Sequence, residues 1–546
     1  MNTTFCLCEK PAQARALAKL LGADVNEDGF YVGEGVVVGN AFGHMLNLSM
    51  PDHYIGDRKW SLDSLPILPQ EWTWQVSDKH RDHYEKIGAW LKKSDAVVIA
   101  TDPDEEGEVI GRQILHGHGY TGKVMRLWAS ALDPASLGKA LKNLLPLSAT
   151  DAFYNAGRVR RELDWLYGMN LSRAFSIIFD RTTHVGRVKT RLLNELVKRD
   201  REIDQFVPKS YMTARVAVDD ALLEWQPGMG LVHNEAGLLA LSDSGVCLSS
   251  ELTEEVLMPP LPFTLSSLLA QASDMGISLS DGYTAVQTLY EAGAISYPRT
   301  GSTSMPGEGT EGFAAHHAIV NTINESPRWM SDDAKAIFDM VRLNGVLQEI
   351  GPALVNVRRL TFDIGGEVFA ATDRWVEGDS AAWLLCVPEH HDVLERNRKK
   401  TVFKVGQKVQ AEIQTERKQT TPLERFTEAS MLRMMQKEGL GTEATRVDAI
   451  SGLARERVAD VAAQTDEHGM ELRKSLVLRS TGVGRNLIGK LPDAVTGPAM
   501  EQQLRKALDA VRGGQSDFSG HLLDATKWIA RTIHAESKTT ARISAH

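Results

Sequence analysis

Five consecutive apolar residues, Ala96-Val97-Val98-Ile99-Ala100, run through Thr101 into the acid-rich segment Asp102-Pro103-Asp104-Glu105-Glu106-Gly107-Glu108. A short, uniformly apolar run of this kind reads as a strand buried on both faces, which belongs inside a sheet covered by helices. A strand that feeds directly into a helix leaves its last residues at the carboxyl edge of the sheet, where open α/β domains keep their chemistry. The chain therefore contains an α/β domain with several carboxylates on its edge. A second strand, TTFCLCE, ends on Glu9 and leads into the helix PAQARALAKLLG, which closes at Gly22; the acidic segment opens the helix EEGEVIGRQILHG, ending in Gly117.

In extended backbone, residues two apart point the same way, so Asp102 and Asp104 converge while Glu106 opens the helix beside them. Crowded carboxylates share a proton or bind a hard cation, and an oxygen-only set favours magnesium. An acidic surface loop is the other reading these residues allow. Glu9 beside Lys10 is an ordinary surface pair unless the two edges meet. If they meet, repulsion from the acids raises the pKa of Glu9 and suits it to donate a proton, while Lys10 can hold a phosphate.

Length and composition bound the rest. A chain of 546 residues, 42% hydrophobic, holds three or four cored domains at about 150 residues each. The apolar runs fall far short of a membrane helix, and the start, MNTTFCLCEKPAQ, lacks the basic and apolar regions of a leader, so a cytoplasmic location is expected. Cys6, Cys8, Cys247 and Cys386 form no CxxC pair, which excludes a zinc ribbon or disulfide framework. The net charge of −10 counts against a polyanion partner, but residues 158–201 carry eleven Lys or Arg against five acids. A solvated helical face is the bland account of that cluster.

Beyond the α/β domain (1–150), residues 151–206 have helical apolar spacing and carry the basic cluster. Residues 207–270 and 352–418 alternate as strands, with turn signals at Pro208, Gly228 and Gly365-Gly366. Between them, 271–351 reads as a mixed domain: a helix with Ser280 or Asp281 as N-cap and Gly293 just past its end, then a short strand into Tyr297. Residues 419–530 turn helical again, and 531–546 read as a flexible tail.

EKPAQARALA and DPDEEGE resemble a Toprim domain. Followed by RRELDWLYGMNLSRAFS, VGRVKTRLL, VKRDREIDQF, ISYPRTGS, HHAI and GLGTEATR in that order, they make nearly the whole chain resemble a type IA DNA topoisomerase, in its topoisomerase III branch. The resemblance implies a multidomain α/β plus α+β fold: an N-terminal Toprim domain, helical DNA-binding segments, a β-rich arch and a Tyr-bearing domain forming a toroid. It implies an ATP-independent, Mg2+-dependent enzyme that cleaves single-stranded DNA, passes a strand and religates it, giving relaxation or decatenation. Tyr297 takes the place of the nucleophile that forms a 5′-phosphotyrosine, Arg299 that of the arginine on the transferring phosphate, and Glu9 that of the acid that protonates the leaving 3′-oxygen. Lys10 and His316 match groups near the phosphate, and Asp102, Asp104 and Glu106 the magnesium-binding acids. Arg160, Arg161, Arg173, Arg187, Lys189 and Arg191 would line the single-strand groove. A monomer is expected, with a helicase or single-strand-binding protein as a candidate partner and no membrane association.

Gly301 stands where the family usually has an acid, and Lys189 and Arg191 replace its usual Gln and Pro. The zinc ribbons and basic tail of many relatives are absent, so a short form is expected. A Toprim nuclease or primase, which needs no Tyr, and a non-catalytic single-stranded-DNA-binding relative are the rival readings.

Overall fold

The computed structural model describes residues 3–56, 60–226, 241, 243–306, 317–376, 400–465 and 471–544. They fall into two compact units, one of Met1–Asp200, Phe263–Val341 and Arg425–His546, the other of Arg201–Pro262 and Arg342–Glu424. Among the described residues no helix is long and apolar enough to cross a membrane.

The first unit opens with β1 (Thr4–Cys8), α1 (Pro11–Leu21), β2 (Val25–Glu27), β3 (Phe30–Gly33), β4 (Val36–Asn40), β5 (Leu46–Leu48), α2 (Pro51–Ile55), β6 (Trp74–Val76), α3 (Arg81–Lys93), β7 (Ala96–Ala100), α4 (Glu105–Gly117), β8 (Lys123–Arg126), α5 (Pro134–Lys142) and β9 (Leu145–Pro146). The main sheet has the order β2-β3-β4-β1-β7-β8-β9, with β5 and β6 forming a separate ribbon. β1 pairs parallel with β4 and β7, and β7 parallel with β8. Alternate residues of the central strands serve opposite faces. Phe5, Leu7, Val97 and Ile99 pack with Ile87 and Leu91 of α3 and Ile110 and Ile114 of α4. Cys6, Cys8, Val98 and Ala100 pack with Ala14, Leu17 and Ala18 of α1. α1 closes where Gly22 takes a left-handed φ of 67°.

The rest of this unit is mainly helical: α6 (Asp151–Ile178), α7 (Arg187–Asp204, its last turn in the second unit), α8 (Leu265–Asp274), α9 (Leu279–Glu291), α10 (Asp332–Ile350, which runs on into the second unit), α11 (Glu428–Glu438) and α12 (Arg446–Arg455). The N-cap of α9 is Ser278, not Ser280 or Asp281; its side chain accepts the Asp281 amide, so Asp281 is the third helical residue. The expected strand before Tyr297 shrinks to a single bridge between Ile295 and Asn321. The segment after 419 is not all helix, because Ala459–Thr465 and Glu471–Ser480 pair as an antiparallel ribbon. Nor do the described residues of the last stretch, 531–544, form a loose tail. They continue the helix Ser519–Ser544, whose Leu522, Ala525, Ile529 and Ile533 keep helical spacing across that boundary and are buried in the cluster around α6.

In the second unit β10 (Ser210–Val218), β11 (Ala221–Trp225), β12 (Ser244–Leu257), β13 (Ala353–Ile364), β14 (Glu367–Trp375), β15 (Lys408–Gln410) and β16 (Glu412–Gln419) form one antiparallel sheet of order β15-β12-β13-β14-β11-β10-β16. Both strand-rich stretches of sequence thus interleave in a single sheet. The β13–β14 hairpin turns on Gly365 and Gly366, both at positive φ as a tight two-residue turn demands.

Candidate active site

Glu9 and Asp102 leave the ends of adjacent parallel strands, one residue past Cys8 and two past its register partner Ala100. From β1 the chain turns toward the β4 side and from β7 toward the β8 side, so the crevice between these ends is the switch point of the sheet. Asp104 caps α4, its Oδ1 accepting the Gly107 amide at 2.7 Å. Gly107 is dictated by space, since a Cβ there would stand 2.0 Å from the Asp102 carbonyl oxygen. Arg126, fully buried at the end of β8, donates to the carbonyl oxygens of Thr101 (2.9 Å), Asp102 (2.7 Å) and Leu127 (2.6 Å) and to the Glu108 carboxylate. A charged side chain from the next strand therefore fixes the backbone of the acidic loop.

Tyr297 reaches this edge from the other side. Past α9 the chain reverses at Gly293 (φ 67°), and the Tyr297 amide donates to the Ser130 carbonyl oxygen at 2.7 Å. Its ring packs edge-on against Tyr290, and its hydroxyl donates to Asp104 Oδ2 at 2.5 Å. Arg299 Nη1 stands 3.6 Å from Asp102 Oδ2 and 3.8 Å from Glu9 Oε1. Lys10 Nζ stands 3.4 Å from Asp102 Oδ2 and 4.0 Å from Glu9 Oε1. The structure thus gathers Glu9, Lys10, Asp102, Asp104, Tyr297 and Arg299 at one point.

Burial, reinforced by Asp102 and Asp104, pushes the Glu9 carboxyl up to about 8 against the pull of Lys10 and Arg299. Glu9 is therefore mostly protonated at neutral pH. Burial and the same two aspartates hold the Tyr297 hydroxyl well above its ordinary range, so it rests as a neutral phenol. For Glu106, burial is outweighed by His44, Arg161 and Arg160, which bring the carboxyl down to about 2.

Glu106 does not join the two aspartates. Its carboxylate accepts from His44 Nε2 at 2.7 Å, with Arg161 Nη1 at 3.8 Å. Among the described residues no three His, Cys, Asp or Glu side chains form a ready-made metal cage. His316 lies outside the described residues, as does Cys386. The six cations expected along a groove divide. Arg160, Arg161 and Arg187 line a cleft of about 760 Å³ beside Glu106. Each is also paired: Arg160 with Glu105, Arg161 with Glu106, and buried Arg187 with Asp164 and Glu501. Arg173 is turned to Asp52 and stacks on Trp60, while Lys189 and Arg191 pair with Glu456 and with Glu195 and Glu438.

A family model described as DNA topoisomerase matches residues 148–314 and 309–522, and one described as Toprim domain matches 4–132. The chain belongs to the type IA DNA topoisomerase family. DNA topoisomerase 3 of Vibrio cholerae is 27% identical, covering 93% of this chain and 90% of that protein. The corresponding figures for DNA topoisomerase 3 of Haemophilus influenzae are 26%, 94% and 91%. Full-length topoisomerase I from Thermotoga maritima shares the fold with a TM-score of 0.74 at 22% identity, over 98% of this chain and 90% of that one. The family and fold expected from EKPAQARALA, DPDEEGE and YPRT are thereby confirmed. In this type IA topoisomerase the position of Gly301 leaves room beside Glu443: a Cβ there would lie 3.8 Å from Glu443 Oε1. Three site residues escaped the sequence reading, namely Gln13, His44 and Arg126. Only Gln13 carried a local signal, as the third residue of a helix beginning at Pro11.

Proposed function

We propose that the protein cleaves single-stranded DNA through Tyr297, passes a strand through the gap and religates it, with magnesium and without ATP. The observation that carries this reading is the Tyr297 hydroxyl bonded to Asp104 Oδ2 at 2.5 Å, at an edge where Glu9 stays protonated. In cleavage the Tyr297 oxygen bonds to phosphorus and the bond from phosphorus to the 3′-oxygen breaks. Asp104 takes the phenol proton and Glu9 gives its own to the leaving 3′-oxygen. Lys10 and Arg299 hold the non-bridging phosphate oxygens, a task suited to the planar fork of arginine. The stored phosphodiester lets the strand be resealed by the reverse transfer, which is why no nucleotide is consumed.

The acids suit magnesium. Glu9, Asp102 and Asp104 crowd one another, and among the described residues Glu9 Oε2 finds no hydrogen-bond partner. Magnesium needs only one or two carboxylates when water and phosphate complete its shell. Asp102 would hold it, with Asp104 a ligand only while it carries no proton and Glu106 joining only by leaving His44, and the ion would supply positive charge to orient the phosphate for religation. The cleft lined by Arg160, Arg161 and Arg187 is the route we assign to the strand. The test is relaxation of negatively supercoiled plasmid: it should proceed with magnesium and no ATP, and stop in the Asp102→Ala/Asp104→Ala double variant. ATP dependence, or an unchanged magnesium requirement in that variant, would contradict the reading.

A further inference from the structure

Gln13 is buried at 4% exposure in the first turn of α1, and every polar atom of its amide is engaged toward the site. Its Oε1 accepts the backbone amides of Glu9 (3.0 Å) and Lys10 (3.2 Å), and its Nε2 donates to Asp102 Oδ1. One side chain thus ties the end of β1 to the end of β7. At the third helical position Glu and Gln are the usual choices, because either can reach back to the N-cap amide. A Glu here would accept the two amides equally well but set another carboxylate against Asp102. Only the amide can accept from the backbone and donate to the acid.

Lys10 and Arg299 both approach the other oxygen, Asp102 Oδ2, at 3.4 and 3.6 Å. These separations exceed the roughly 2.7–2.9 Å of a tight charge-assisted bond. We propose that Gln13 is a positioning residue: by saturating Asp102 Oδ1 with a neutral donor it keeps Lys10 and Arg299 from closing on Asp102 and leaves both able to turn to the scissile phosphate. This rests on the cleavage reaction proposed above. Without the donor, Asp102 draws the two cations onto itself, and the loss falls on the chemical step. The rest of the strand is held elsewhere along the cleft, so affinity for DNA is spared.

The test compares wild type, Gln13→Met, which keeps the shape of the side chain, and Gln13→Glu, which keeps the backbone cap. Binding of a fluorescent single-stranded oligonucleotide and the single-turnover rate of covalent adduct formation are measured separately, alongside thermal unfolding of each protein. Removing a buried hydrogen bond to a charged group predicts an adduct rate lower by about tenfold to a hundredfold, with the dissociation constant within about twofold of wild type. The half-saturating magnesium concentration for religation should rise in both variants, since Asp102 is no longer held in place. A folded variant with the wild-type rate would overturn the proposal, as would a rate loss matched by equal losses of affinity and thermal stability. Absence of any adduct in wild type would instead overturn the cleavage reading itself.

Discussion

Replacing Glu162 by Gln is expected to stabilise the protein above neutral pH and to leave it unchanged below pH 4.5. Glu162 lies on α6 at 1% exposure; its Oε1 accepts from Arg158 at 3.0 Å, and its Oε2 has no partner among the described residues. Burial pushes its carboxyl from 4.5 up to about 7, with Arg158 opposing in part. An acid whose pKa is raised on folding binds its proton more tightly in the folded state. The stability it contributes is therefore fully present below pH 4.5 and is lost as pH rises through about 7. At about 1.4 kcal/mol per pKa unit, that rise amounts to on the order of 3 kcal/mol by pH 8. The pull of the part-exposed Arg158 is already contained in that raised pKa, so the Gln variant, neutral like the protonated acid, should gain on the order of 3 kcal/mol at pH 8. Thermal unfolding of both proteins from pH 4 to pH 8.5 should show a Tm difference near zero at the acid end that grows to a few degrees at the alkaline end. A variant less stable than wild type at pH 8, or a difference that ignores pH, would refute the balance drawn here between burial and Arg158.

Gly107→Ala should abolish relaxation while the protein still folds, because a Cβ 2.0 Å from the Asp102 carbonyl oxygen must displace the acidic loop; plasmid relaxation with a circular-dichroism control checks this. Arg187→Ala should cost about 3 kcal/mol by urea unfolding, the low end for breaking a buried pair, since Asp164 is 41% exposed. Lys189→Ala, at an exposed pair, should change stability by less than about 1 kcal/mol. Arg160→Ala with Arg161→Ala should flatten the slope of log affinity for single strands against log salt by about 1.4 units. Lys189→Ala with Arg191→Ala, which do not line the cleft that holds Arg160 and Arg161, should flatten it by less.

Much of the site was legible because its parts sit at strand ends. The apolar run 96–100 and the capped starts of α1 and α4 are local patterns, and they place Glu9, Asp102 and Asp104 on one edge. Residues that act only through tertiary contact left no such trace. His44 meets Glu106 across 62 residues of sequence, and Arg126 looks like an ordinary strand terminus until its donors are followed to the Asp102 loop. For Tyr297 the family pattern was needed: Tyr290, equally plausible by composition, turns out to be a buried neighbour of the tyrosine that reaches an acid. The α9 cap was misplaced because Ser278, Ser280 and Asp281 offer three capping oxygens within four residues, and only backbone geometry decides among them. Charge counting overstated the basic cluster. It could not show that Arg187, Lys189 and Arg191 each face an acid, and two of those acids, Glu501 and Glu456, lie more than 250 residues away.

The role of Tyr297 is decided by trapping the broken strand. Wild type and Tyr297→Phe are incubated with magnesium and single-stranded DNA carrying a label on the 3′ side of the cut, denatured with detergent and digested with protease, and the labelled peptide is sequenced. The geometry at Asp104 predicts a covalent adduct in wild type, joined through the 5′-phosphate to the peptide that contains Tyr297. The phenylalanine variant should form no adduct while still binding DNA. Cleavage that yields free 5′-ends without an adduct, or an adduct that persists in Tyr297→Phe, would contradict the assignment.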